Sequence, residues 1–202
     1  MPPRARPRDK KQTHLVHKSP PHSKNSLRLK LLRDDLFAKP IWDNHAQVKC
    51  KIFLCTTHKR RIFTNERQAR CGLVASARCP FCSSVEDVEH LFLRCTGVAT
   101  IWHTFGLDEQ QIASLPQLEG VWDIPPPRQP ATPQVWRSIL LAVMWNIWER
   151  HNNKVFNSLD EPAKLVLRRC ASDIDLWSHR CKNVESKQQL RKWALYLFVI
   201  NS

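Results

Sequence analysis

Glycine is scarce in this sequence, with only four among 202 residues, and they are scattered. A phosphate-cradling loop or a dinucleotide fingerprint needs closely spaced glycines, so both are excluded. Long apolar runs are missing too. The longest, Ile139 to Trp145, falls well short of the roughly 20 residues a membrane helix needs, so no membrane association is expected. No apolar segment follows the basic N-terminus, and nothing there resembles a secretory signal peptide. The expected compartment is therefore a reducing one, where clustered cysteines are better read as metal ligands than as a disulfide framework. Paired carboxylates in a catalytic arrangement are also lacking. Asp34 and Asp35 adjoin a basic arm without a flanking strand, and Asp173 and Asp175, two apart on a predicted helix, point to different faces. No local hydrolase motif is visible, and His58 and His103 read as surface or core histidines. The chain is not expected to be an enzyme.

What the sequence has in quantity is positive charge: the net charge is +14 and the pI about 9.8. Such a surface attracts polyanions over a Debye length of about 10 Å. The charge is unevenly placed. Residues 1–33 carry ten Lys or Arg against Asp9 alone, and residues 49–78 carry eight against Glu66, whereas residues 79–119 hold six acids against Arg94. The basic partner-binding surface should therefore precede the cysteine-rich stretch rather than coincide with it.

Five prolines among basic and polar residues make 1–33 a segment unable to offset its chain entropy, and it is expected to be a disordered basic arm. A transit peptide is the minority alternative, because a regular amphipathic pattern is lacking. Beyond Pro40 a helix is expected from about Ala46 to Thr57, with Val48, Ile52 and Cys55 as its apolar stripe. A shorter helix should follow, with Asn65 and Gln68 at capping-box spacing and Gly72 ending it. The two would form a hairpin with a basic outer face. Thr96 can cap a helix ending at Gly106, and the prolines from Pro125 to Pro133 mark a break that neither helix nor sheet should cross. A helix from Val135 to about Asn153 shows a wide apolar face that includes Trp136, Leu140, Val143 and Ile147. Another, from Pro162 to about Lys182 with Asp160 as cap, aligns Val166, Cys170, Ile174, Trp177 and Cys181. The last run, Leu190 to Ile200, fits helix or strand. Strand signals are otherwise sparse, so the expected fold class is mainly α. The expected divisions are the arm over 1–33, a zinc-binding module over 41–107, a Pro-rich linker over 108–134 and C-terminal helices over 135–202.

Cys79, Pro80, Phe81 and Cys82 form a knuckle whose tight turn aims two thiolates at one metal; seven residues then separate Cys82 from His90, and four separate His90 from Cys95. Loops this short cost little closure entropy. Three thiolates and an imidazole complete a tetrahedral zinc shell with no position left for substrate, which makes the expected site structural. Arg78 and Arg94 flank it and could offset its net negative charge. The bland alternative is buried free thiols. His103 and Cys71 are the spare ligand candidates, and Cys50, Cys55, Cys170 and Cys181 fall on predicted apolar faces.

The run CPFCSSVEDVEHLFLRCTGVATIWHTFGL closely resembles the reverse transcriptase zinc-binding domain of plant LINE-type, non-LTR retrotransposons. The shared pattern is carried by Cys79, Cys82, Glu86, His90, Leu91, Phe92, Cys95 and Trp102. IWDNHAQVKCKIFLCTTHKRRIFTNERQARCGLV is similar to the helical hairpin that precedes the ligands there, departing at Cys55, where Trp is usual. WRSILLAVMWNIWERHNNKVF resembles the Trp-rich helix that follows. The resemblance implies a non-catalytic module helping to hold nucleic acid, RNA or DNA, in an intracellular and more specifically nuclear setting. On charge, the phosphate-contacting candidates are Lys49, Lys51, Lys59, Arg60, Arg61, Arg67 and Arg70. The alternatives are a protein-interaction module docking through the Trp-rich helices, or a truncated transposon relic without a selected function, since the polymerase and endonuclease implied by the family are not in this sequence.

Overall fold

The computed structural model describes residues 38–200, so the basic arm over 1–33 and the Asp34–Asp35 pair lie outside it. Helices build the described residues: α1 (Ala38–Trp42), α2 (Val48–His58), α3 (Asn65–Arg70), α4 (Thr96–Thr104), α5 (Glu109–Ala113), α6 (Pro133–Asn157), α7 (Ala163–Arg180) and α8 (Val184–Ile200). A π turn over His90–Arg94 and a 3-10 turn over Leu118–Asp123 complete the set. Among the described residues, extended pairing is limited to one antiparallel bridge between Arg78 and Val85. The fold is mainly α, as the sequence implies.

Side-chain caps start α3, α5, α6 and α8. Thr132 accepts the Val135 N–H at 3.4 Å and Pro133 occupies the first turn of α6, where its missing donor costs nothing. The left-handed Ser158 ends that helix after 25 residues, four beyond the expected boundary. Thr64 caps α3, one residue before the expected Asn65, whose side chain instead donates to the Arg78 carbonyl at 2.8 Å. Cys95 rather than Thr96 stands at the N-cap of α4. Asp160 does not cap α7; it pairs with Lys154 at 2.8 Å. Gly106, at φ +84, ends α4 in the conformation that favours glycine.

α6, α7 and α8 pack consecutively and bury Trp136, Leu140, Val143, Ile147, Val166, Cys170, Ile174, Trp177, Leu190, Trp193 and Leu197. The run Leu190 to Ile200 is helical, because its buried positions 190, 193, 194 and 197 follow the helical period. α2 leans on α6 through a face that only partly matches the expected stripe. Val48 and Ile52 are exposed, whereas Cys55 is buried as expected, together with Cys50, Phe53, Leu54 and Thr57. The reason is aromatic packing: Phe53 meets Phe92, Trp145 and Trp148 with ring centroids 6.2, 5.3 and 6.0 Å apart. Burying a Phe contributes about 1.5–3 kcal/mol, which outweighs leaving a Val and an Ile partly wet.

No helix or strand runs through residues 124–132. The stretch before them is not a structureless tether, however, since α5 and the 3-10 turn lie in it with Ile112, Leu118 and Val121 buried. The ranges 41–107, 108–134 and 135–200 accordingly fall in one compact unit, Leu36–Ser202.

Candidate metal centre and basic hairpin

The knuckle is set by backbone bonds that close residues 77 to 86 on themselves. The Cys79 N–H donates to Ser84 O at 2.7 Å, the Ser83 N–H to Cys79 O at 3.0 Å and the Glu86 N–H to Ala77 O at 2.9 Å. Ser83 turns the chain at φ +64. His90 is presented by a helical turn that the Asp87 carboxylate starts, accepting the His90 N–H at 2.6 Å. At 3.6 residues per turn, two positions five apart lie about 140° from each other around a helix. The wider π turn closes with the Cys95 N–H on His90 O at 2.8 Å, which brings the two ligands to one side.

The ligand atoms of Cys79, Cys82, His90 and Cys95 all lie within 4.8 Å of one another. Cys79 Sγ to Cys95 Sγ is 3.6 Å, Cys95 Sγ to Cys82 Sγ 3.8 Å and Cys82 Sγ to His90 Nε2 3.1 Å. A tetrahedral ion with Zn–S bonds of about 2.3 Å requires sulfur–sulfur edges of about 3.8 Å. The donor set therefore fits zinc. Three of the four residues are buried and Cys82 is half-buried. Their proton affinities show groups that press on one another. The hydrogen bond to Cys95, with burial, pushes the Cys79 thiol above its ordinary value. The same bond holds Cys95 below its own value against burial, helped by the Gly97 N–H at the start of α4. Hydrogen bonding to Cys79 likewise raises His90, although burial opposes it. Zinc, when bound, supplies a charge that replaces those protons and ties residues 79 through 95 together. The spare candidates, Cys71 and His103, are exposed and outside the cluster.

The expected flanking arginines do not serve the sulfurs. Arg78 donates to Ser83 O at 2.8 Å, and Arg94 reaches Pro116 O at 3.4 Å. The nearby cation is Arg150 of α6, which sequence reasoning missed. Its guanidinium lies 4.4 Å over the Phe81 ring, Nε donates to Glu161 O at 2.8 Å and Nη1 donates to Gly97 O. Gly97 is required there, because a Cβ on it would sit 2.9 Å from Phe81 Cβ. One residue on, His151 Nε2 meets Glu86 Oε1 at 2.8 Å with both side chains fully buried. The approach is off the hydrogen-bond line, a close polar contact rather than a directed bond. Glu86 also accepts the Asn65 N–H at 2.8 Å, and its carbonyl accepts the Glu66 N–H at 3.1 Å. One acidic side chain thus fastens the zinc loop to α3 and to α6.

The basic side chains of the hairpin are not equivalent. Lys51 donates to Trp42 O at 3.0 Å and Asn44 O at 2.7 Å, anchoring the turn before α2. Lys49 is exposed but lies 5.0 Å from the Trp145 ring centroid. Arg60 pairs with Glu89 and Glu119. Arg67 donates to Arg60 O at 2.9 Å, and Arg70 pairs with Glu66 at 3.2 Å. Lys59 and Arg61 are exposed and make no ion pair among the described residues. Arg60, Arg67 and Arg70 share the wall of an open groove of about 430 Å³ with Glu66, Asp87 and Glu89, all three acids already engaged as partners or caps. His58 donates or accepts through both ring nitrogens, to Glu119 at 2.8 Å and from the Trp122 indole at 3.1 Å, so neither is left for proton transfer. All eight Trp side chains are buried or half-buried.

Among the described residues no helix is long and apolar enough to cross a membrane. No curated protein and no solved structure matches the chain. Residues 25–102, which include all four candidate ligands and the hairpin but stop short of α6, match the family described as zinc-binding in reverse transcriptase.

Proposed function

We propose that this chain is a non-catalytic, zinc-braced module that binds nucleic acid, RNA or DNA, by the phosphates, and that it descends from the reverse transcriptase of a plant LINE-type retrotransposon and acts in the nucleus. The observation that carries the reading is the bracing. Asn65, Glu66 and Arg60 are bonded to Glu86 and Glu89 of the zinc loop, so metal binding fixes the hairpin on which the outward cations stand. Lys59 and Arg61 are exposed and unpaired, and Arg67 and Arg70 line the adjoining groove. These four are the phosphate contacts of the proposal. Lys51 and Arg60 act inside the fold, and Lys49 is occupied with Trp145.

Four phosphate contacts give a slope of about −3 to −4 in a plot of log affinity against log salt for duplex DNA. Removing Lys59 or Arg61 should each flatten that slope by about one. Titration of a labelled duplex at several salt concentrations measures it. A slope near zero in the zinc-loaded chain would end this reading.

A further inference from the structure

After the left-handed turn at Arg60, burial alternates along residues 61–64 of the loop between α2 and α3. Ile62 and Thr64 are buried, whereas Lys59, Arg61 and Phe63 face outward. Phe63 is 46% exposed and follows the three consecutive cations Lys59, Arg60 and Arg61 by two residues. The loop is held stiffly. Arg60 adopts φ +53, an uncommon conformation for a side chain of this size, and its carbonyl is held by Arg67 while its guanidinium is held by Glu89 and Glu119. The Phe63 carbonyl accepts Gln68 Nε2 at 3.0 Å, and the Arg67 guanidinium lies 5.6 Å from the Phe63 ring centroid. A ring on a tethered backbone, with nearly half its surface open, beside one guanidinium and close in sequence to the unpaired Lys59 and Arg61, needs little reordering on binding.

We infer that Phe63 is a stacking platform for an unpaired base, with Lys59 and Arg61 on the neighbouring phosphates, so that this site reads single-stranded nucleic acid. The inference rests on the phosphate-binding reading and adds what the phosphates cannot specify. Bases of a duplex are already stacked on one another and offer only their edges, whereas every unpaired base offers a face of its own. The alternation of cations with an aromatic ring suits the second and adds little to the first. Both RNA and DNA strands supply such faces, and the sugar is left to the test.

The experiment uses the full chain loaded with zinc and labelled probes of about 12 nucleotides, within the usual range for single-strand sites. The probes are one RNA strand, the DNA strand of the same sequence, and that DNA as a duplex. Phe63→Leu keeps apolar bulk and removes the ring. It should weaken single-strand binding about tenfold and duplex binding less than about twofold, whereas Phe63→Trp retains single-strand affinity. A strand made abasic throughout should bind the wild-type chain no better than the intact strand binds Phe63→Leu. A loss confined to RNA or to DNA supports the stacking and assigns the sugar. Equal loss on strand and duplex, or no loss on either while salt-dependent binding persists, overturns the stacking and leaves the phosphate reading standing. Failure of the wild-type chain to bind any of the three probes overturns both.

Discussion

Glu86→Leu removes a fully buried carboxyl at the junction of the zinc loop, α3 and α6. Leucine fills much of the same space, so what is lost is partners. The Asn65 N–H, now 2.8 Å from Glu86 Oε1, would be left buried and unpaired, at a cost of about 1–3 kcal/mol. Stripping His151 of its buried partner costs about another 1–3 kcal/mol. The two figures overlap because both partners use the same oxygen, so the expected loss is about 2–4 kcal/mol rather than their sum. At a urea dependence of about 2 kcal/mol per molar, the midpoint of the zinc-loaded chain should fall by about 1–2 M, read by far-UV circular dichroism. His151→Leu should cost a comparable amount. The double variant should cost clearly less than the two singles together, since each change strips the partner that the other would strand. A loss below about 1 kcal/mol for Glu86→Leu, or strict additivity in the double variant, would refute the argument that this contact joins the zinc loop to α6.

Two further predictions follow from local geometry. Burial works against the Glu119 carboxylate, but the His58 hydrogen bond and the charge of Arg60 outweigh it and hold its pKa below the usual carboxylate range. Its contribution to stability is therefore complete above the unfolded carboxylate range and is lost as pH falls through the lower folded value. Glu119→Gln should show a shallower stability loss than wild type over that acidic interval in urea titrations, and identical slopes would contradict the assignment. Gly97→Ala places a Cβ 2.9 Å from Phe81 Cβ and 3.4 Å from Cys95 Sγ. The knuckle must shift to admit it, so zinc should pass to a competing chelator at least about tenfold more readily, equivalent to about 1.4 kcal/mol; an unchanged competition curve would show that the knuckle yields without cost.

The metal ligands were legible because their geometry is local. Four residues within one short stretch must converge if they bind one ion, and spacing alone reports that. Helix α7 was legible for a similar reason, since its buried face repeats at the helical period over several turns, whereas α6 announces itself by a long apolar run and is buried on every side from Ser138 to Met144. What the sequence hid depends on partners far along the chain. The inward face of α2 is chosen by Phe92, Trp145 and Trp148, none of them near Phe53 in sequence, so of the apparent stripe Val48, Ile52 and Cys55 only Cys55 turns inward. Glu86 was singled out only as part of the family pattern, and the fold alone brings His151 to it. Arg78 and Arg94 were nominated for the sulfurs by adjacency, whereas Arg150 approaches from α6. The five-residue gap between His90 and Cys95 was a usable signal for the π turn, because an ordinary helix cannot bring such a pair to one side.

Zinc content per chain bears most directly on the whole account. Wild-type protein purified with zinc present and dialysed free of loose metal should hold one equivalent by atomic emission, Cys71→Ser should hold the same, and Cys82→Ser should hold close to none. A metal-free wild-type chain, or Cys82→Ser retaining its full equivalent, would contradict the claim that Cys79, Cys82, His90 and Cys95 share one ion.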